Sequence, residues 1–295
     1  MSIIEKAAGK LGQSNKSINV SERQHIVDQA AGKVEIEGAG SGNTQENMHG
    51  AASQSNLAIL DLTRFRKLGG ITPNEEKTQI AEEFRMIKRP LITNAFNQGA
   101  LQIKNGNLIM VTSALAGEGK SFCAVNLAMS IAMEMDHTVL LVDADVARPS
   151  IPRYLGLQAK KGLLDLLLDD KLELADVMLK TNVEKLSILT SGKRSRHATE
   201  LLASQSMSLL LADIAQRYSD RIVIFDSPPL LLTTESHVLA SQMGQIVMVV
   251  EAEKKKKKTV IEALRQIESC DVINFIYNKS RVFAGERYYG YQYGY

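Results

Sequence analysis

From residue 107 onward the chain passes through six short apolar runs rich in β-branched residues: "NLIMVTS", "TVLLVDAD", "KLSILTS", "RIVIFDS", "QIVMVVE" and "DVINFIYN". Helical stretches separate them. Strands that are apolar throughout, rather than at every second position, are those buried on both faces. Strands that alternate with helices build parallel sheets. The expected fold is therefore α/β, a mostly parallel sheet with helices on both faces. Ligands of such sheets bind beyond the carboxyl ends of the strands, so the residue just after each strand is the informative one.

After the first of these strands comes "SALAGEGKS", residues 113–121, followed by the apolar stretch "FCAVNLAMSIAMEM". Gly117 and Gly119 let backbone N–H groups turn toward a phosphate. The start of the following helix adds positive potential, Lys120 reaches the outer phosphates, and Ser121 is a magnesium ligand. The stretch from Ala116 through Glu118 to Phe122 is the expected nucleotide-binding segment of a P-loop NTPase. It departs from G-x-x-x-x-G-K-[ST] at the first glycine, where Ala114 stands.

Two further strands end in carboxylates. "VLLVDADVARPS" carries Asp143 and Asp145, beside the loop if the two strands are neighbours, and "IVIFDSPP" carries Asp226. A carboxylate at a strand end also caps helices and starts turns. Three of them at the edge that holds a phosphate loop supply hard oxygen ligands for Mg2+ and an acceptor for a nucleophile's proton. Ser121 and these carboxylates are candidates for holding the metal, and the carboxylates also for taking the proton; the residues by themselves do not divide the roles.

The chain has 295 residues, 44% of them hydrophobic, enough for one sizeable core plus an extension. A formal charge of +2 gives no whole-chain basic field for nucleic acid or an anionic membrane. Cys123 and Cys270 lie far apart with no metal-ligand spacing, and read as small buried residues in a reducing compartment. The opening "MSIIEKAAGKLGQ" lacks the apolar core of a signal peptide, and no apolar run is long enough to span a bilayer. A cytoplasmic location is expected.

Residues 1–35 form an arm whose Ile3, Ile4, Ala7, Ala8 and Leu11 fall at helical spacing, a candidate docking helix. Residues 36–59, rich in Gly, Ser, Asn and Gln, read as a flexible linker. The folded domain is expected over 60–278. It opens with an amphipathic helix over about 74–97, apolar at 80, 84, 87 and 91, which Pro90 should kink or end early. Residues 279–295 form a tail, expected to be disordered, that holds five of the eight tyrosines: Tyr288, Tyr289, Tyr291, Tyr293 and Tyr295. The tail starts at the carboxyl end of the last predicted strand, on the ligand-binding edge.

"LAGEGKS", "LLVDADVARPS" and "IFDSPP", together with "EEFRMIKRPL" and the tyrosine tail, resemble the bacterial tyrosine kinases (BY-kinases) of exopolysaccharide synthesis. "MSIIEKA" and "KRPL" resemble especially the exosortase-associated tyrosine autokinases. The resemblance covers roughly residues 60–295. It implies ATP-dependent autophosphorylation of the tail tyrosines, between subunits, with ATP and Mg2+ as cofactors. Position by position it implies Lys120 on phosphate, Ser121, Asp143 and Asp226 around Mg2+, and Asp143 and Asp145 as a second Walker motif in which Asp143 orients or deprotonates the acceptor tyrosine. Further implications are assembly into a homo-oligomeric ring, an inner-membrane polysaccharide co-polymerase as a separate activating chain, and a tyrosine phosphatase as antagonist. The protein would then sit peripherally at the inner membrane.

In the same terms Asn278 matches a position that recognises adenine, although a strand-end turn also suits it. Glu82, Arg85 and Lys88 resemble the oligomerisation motif E-x-x-R-x-x-R, with lysine in place of the last arginine and Arg89 next to it. Arg148 holds the loop, touches nucleotide or makes a purely structural ion pair, and an attraction of Lys254–Lys258 to phosphate is a minor alternative to solvation. Two rival functions remain open: a septum-site or partitioning ATPase, whose loop usually carries an additional early lysine, and a non-enzymatic scaffold switched by ATP.

Overall fold

The computed structural model describes residues 56–280, apart from 74–77, 98, 100–101, 159–160 and 219. The readings of the N-terminal arm, of the linker before Asn56 and of the tyrosine tail lie outside the described residues. No helix among those described is long and apolar enough to cross a membrane.

In chain order the elements are β1 (Leu57–Ala58), α1 (Leu62–Lys67), α2 (Gln79–Phe96), β2 (Leu108–Ser113), α3 (Lys120–Ala132) and β3 (Thr138–Asp143). Then follow α4 (Ile151–Leu155), α5 (Leu163–Leu168), α6 (Leu174–Val177), β4 (Leu179–Thr181), β5 (Leu186–Leu189), α7 (Ala198–Leu202) and α8 (Gln205–Arg217). The last are β6 (Arg221–Asp226), α9 (Glu235–Ala240), β7 (Gln245–Glu251), α10 (Lys257–Leu264) and β8 (Ile273–Asn278). They form one eight-stranded sheet of order β1-β4-β5-β3-β6-β2-β7-β8. Every described pairing is parallel except β4 against β5.

All six expected strands are present, and the α/β, mostly parallel architecture is as expected. The central strands are apolar throughout because successive side chains feed two cores. Leu108, Met110, Leu140, Val142, Val223 and Phe225 point to one face, beside residues of α5, α8 and α9. Ile109, Val111, Val139, Leu141, Ile222 and Ile224 point to the other, beside α2 and α3. Helix α3 is buried on nearly all sides between the sheet and α2.

Two expectations need correction, and one condition left open is decided. The linker was expected to reach residue 59, but Leu57 and Ala58 pair with Lys180 and Thr181, and Asn56 accepts a hydrogen bond from the Lys180 N–H. Pro90 does not end its helix: α2 continues to Phe96 with Pro90 inside it. The missing N–H lies on the exposed side, while Phe84, Lys88 and Leu91 hold the opposite side against the core. The P-loop strand β2 and the Asp143 strand β3 are not neighbours, because β6 lies between them.

Candidate active site

The loop between β2 and α3 turns on two glycines in the left-handed region, Gly117 at φ 86° and Gly119 at φ 99°. Gly119 is also sterically required, since a Cβ there would lie 2.0 Å from Nδ2 of Asn278. Ala114, where the motif has glycine, has no positive φ and is fully buried, so its methyl group packs into the core.

Lys120 opens α3, and its ammonium lies 2.7 Å from Asp145 Oδ2 and 3.6 Å from Asp226 Oδ1. It is 3.2 Å from the Ser121 hydroxyl. Burial opposes its charge, but the carboxylates of Asp226 and Asp145 override that and raise its pKa. Asp143 and Asp226 are register partners at the ends of adjacent strands β3 and β6, and both are fully buried. Burial pushes the Asp143 carboxyl up to about 8, and the nearby Asp226 adds to the effect. Burial raises Asp226 as well, with Lys120 opposing it.

One oxygen of each buried carboxylate, Oδ1 of Asp143 and Oδ1 of Asp226, has no hydrogen-bond partner, the latter meeting only the Lys120 ammonium at 3.6 Å. Such buried acceptors demand a ligand. Among the described residues no cluster of three or more His, Cys, Asp or Glu is arranged to hold a metal. Mg2+ typically needs only one or two protein oxygens beside substrate phosphates and water, so the Ser121 hydroxyl and the two orphan oxygens fit that ion.

Above them opens a cleft of about 1030 Å³, lined by Gly117, Gly119, Lys120, Ser121, Phe122 and Ala116 on the loop side. Asp145 lines it, whereas Asp143 does not. Asp143 Oδ2 instead accepts the backbone N–H groups of Ser150 and Ile151, each at 3.1 Å, and so holds the start of α4. The group expected to deprotonate an acceptor is therefore beneath the cleft, and the carboxylate on its wall is Asp145.

Glu118 stands in the expected nucleotide-binding segment, and its side chain is fully buried as a brace for the loop. Its carboxylate accepts the N–H of Leu115 at 2.7 Å and of Glu251 at 3.1 Å. Asn278 lines the cleft, yet its amide donates to the Glu118 carbonyl at 2.8 Å and its Oδ1 accepts the N–H of Lys279. In this arrangement it ties β8 to the P-loop. Lys279 completes the tie by donating to the Gly117 carbonyl at 2.6 Å.

None of the five lysines of the run lines the cleft, and two of them meet carboxylates: Lys254 pairs with Glu251 at 2.7 Å and Lys255 approaches Glu118 at 3.7 Å. The expected oligomerisation triad is divided. Glu82 and Arg85 pair on the outer side of α2, while Lys88 is buried, donating to the Ser130 carbonyl at 2.5 Å and pairing with Glu134 at 2.6 Å. Lysine at position 88 thus caps the end of α3 inside the fold, and it is not offered to another subunit.

Sequence reasoning missed Arg153 and Arg194, both on the cleft wall. Arg194 was within reach of the strand-end rule, since "GKRSRH" directly follows the predicted strand "KLSILTS". Arg153 on α4 had no comparable signal.

A phosphate loop opening a helix, a strand-end aspartate beneath its lysine, and a parallel sheet with helices on both faces define a P-loop NTPase. Residues 104–275 match the ParA family, described as NUBPL iron-transfer P-loop NTPase. The tyrosine-protein kinase YwqD of Bacillus subtilis is 32% identical over 200 residues, covering 68% of this chain and 80% of YwqD. The chain belongs to the bacterial tyrosine-protein kinase family of P-loop NTPases.

CapB of Staphylococcus aureus is 27% identical, with 75% of this chain and 93% of CapB aligned. EpsB of Ralstonia nicotianae is 33% identical over 59% of this chain, which spans only 23% of EpsB. The chimerical protein CapA2B2 superimposes with a TM-score of 0.59 at 26% identity, covering 75% of this chain and 92% of that one. The kinase domain of the Escherichia coli tyrosine kinase ETK shares the fold, with a TM-score of 0.62 at 24% identity over 74% of this chain and 84% of that one.

Proposed function

We propose that this chain is an ATP-dependent protein-tyrosine kinase that phosphorylates its own tyrosine cluster, Tyr288 to Tyr295, chiefly between subunits. The observation that carries the reading is Lys120 held over Asp145 and Asp226 at the mouth of a P-loop, in a chain 32% identical to a protein named a tyrosine-protein kinase. The loop has no lysine before Lys120, unlike the partitioning ATPases that share the fold.

The loop amides and Lys120 bind the phosphates of ATP. Ser121, Asp226 and Asp143 would hold Mg2+, which when bound spreads the negative charge of the phosphate oxygens. A tyrosine hydroxyl, with a pKa near 10, needs an acceptor for its proton as the bond to phosphorus forms and ADP leaves. Asp145, which lines the cleft, would accept it once Lys120 leaves it for phosphate. The described chain ends at Ser280, one residue beyond Lys279 on the cleft wall, and the following 15 residues reach at most roughly 50 Å. That length serves the same molecule or a neighbour.

Each phosphotyrosine adds roughly −1.5 to −2 charges, so accumulated phosphate would drive tails and subunits of a homo-oligomer apart. The wider setting is regulation of exopolysaccharide polymerisation or export at the inner membrane, with a separate co-polymerase chain as activator and a phosphatase that resets the tail. Incubating purified protein with ATP and Mg2+ and mapping phosphate by mass spectrometry tests the core claim. Phosphate on residues 288–295 that vanishes in Lys120→Met is expected. No phosphate there, or phosphate that survives Lys120→Met, overturns it.

A further inference from the structure

The cleft, of about 1030 Å³, stands at the upper end of the range of small-ligand pockets, roughly 300–1,000 Å³. Its cations are of two kinds. Lys120 is paired with carboxylates. Arg148, Arg153 and Arg194 also line the cleft, all exposed, and among the described residues none of their guanidinium groups has a carboxylate partner. Arg153 only lies over the ring of Tyr154, at 5.9 Å. Three unpaired arginines in one concavity repel one another and favour an anion beyond the phosphates that the P-loop itself can hold.

The segment "YYGYQYGY" has no charged side chain. As made, its side chains offer these arginines no anion. Once one of its tyrosines is phosphorylated it carries a dianionic group whose oxygens match the guanidinium fork. The walls opposite the loop, Pro228, Pro229 and Leu232, supply apolar surface for the neighbouring rings.

We infer that Arg153 and Arg194, assisted by Arg148, form a phosphotyrosine subsite that retains a partly phosphorylated tail beside the P-loop, so that one phosphorylation favours the next on the same tail. The inference rests on the kinase reading above and adds the determinant of acceptor preference. The first transfer to a tail is then the slow one.

The test measures binding rather than transfer, so that it can fail separately from that reading. The full chain, with its five tail tyrosines changed to phenylalanine, is loaded with magnesium and an unreactive ATP analogue to fill the P-loop. Fluorescent YYGYQYGY peptide, bare or phosphorylated on its sixth residue, the tyrosine corresponding to Tyr293, is titrated by anisotropy. The phosphorylated peptide is expected to bind at least about ten-fold more tightly. Arg153→Ala/Arg194→Ala should abolish that gain while leaving analogue affinity unchanged.

Equal affinity of the two peptides, a gain that survives the double variant, or a parallel loss of analogue affinity would each overturn the subsite. If the double variant does not fold, the exposed loop change Arg194→Ala alone decides in the same assay. A chain that prefers the phosphorylated peptide but transfers no phosphate in the mass-spectrometric assay sinks the kinase reading and keeps the subsite. A chain that transfers phosphate but shows no preference does the reverse.

Discussion

The ammonium of Lys120 lies 2.7 Å from the carboxylate of Asp145, both side chains nearly buried, with Asp226 a further acceptor at 3.6 Å. The cation that would bind phosphate thus holds two carboxylates together. Removing it leaves buried charge uncompensated. Lys120→Met is expected to lower stability by about 3 kcal/mol at neutral pH, and adding Asp145→Asn should restore part of that. Urea melts of the three variants check this, and an unchanged midpoint in Lys120→Met would refute it.

Gly119 is bound to its conformation twice, by a φ of 99° and by Asn278 standing where a Cβ would be. Gly119→Ala should therefore weaken nucleotide binding at least ten-fold, because the loop cannot keep its amides turned inward. Calorimetric titration with ATP reads the effect. Asn278→Ala removes the obstruction and leaves the φ requirement, so Gly119→Ala/Asn278→Ala should not recover the wild-type affinity.

Lys88 acts inside the fold. Lys88→Met keeps the apolar stem but leaves the Ser130 carbonyl and Glu134 without their cation, and a loss of about 1–3 kcal/mol is expected in denaturant melts. Hydrogen bonding to Lys88 holds the Glu134 carboxyl below its ordinary value. A depressed carboxyl stabilises the fold above its unfolded pKa, near 4.5, and that contribution is lost as pH falls through the native value. Wild type should lose stability faster than Glu134→Gln as the pH drops below about 4.5.

Asp143 predicts the opposite slope. Its carboxyl is raised to about 8 by burial, from an ordinary 3.8. Native protein then binds a proton that unfolded protein releases, so the stabilisation present below about pH 4 is lost as pH rises toward 8. Without metal or nucleotide, the melting temperature of Asp143→Asn relative to wild type should increase from pH 5 to pH 8. A constant difference would show that the carboxyl titrates normally.

Much of the fold was legible in the sequence because strand burial is written locally. Leu108 and Ile109 are adjacent in sequence and feed opposite cores, so a run that is apolar at every position already states that both faces are covered. The P-loop was legible for the same reason: Gly117, Gly119, Lys120 and Ser121 act through the backbone of one short turn. Its departure, Ala114, left no visible trace on the loop, since the backbone there does not need glycine.

Long-range partners were not legible. The insertion of β6 between β2 and β3, the passage of α2 through Pro90, the pairing of Leu57 with Lys180 and the burial of Lys88 under Ser130 depend on segments far apart in the chain. The same holds for Asn278, whose amide meets the Glu118 carbonyl from 160 residues away. Local composition and periodicity determined which segments became strands and which loop was built for phosphate. Only the tertiary structure decided which carboxylate faces the cleft and which arginines are left unpaired there, because burial and charge pairing are set by neighbours in space.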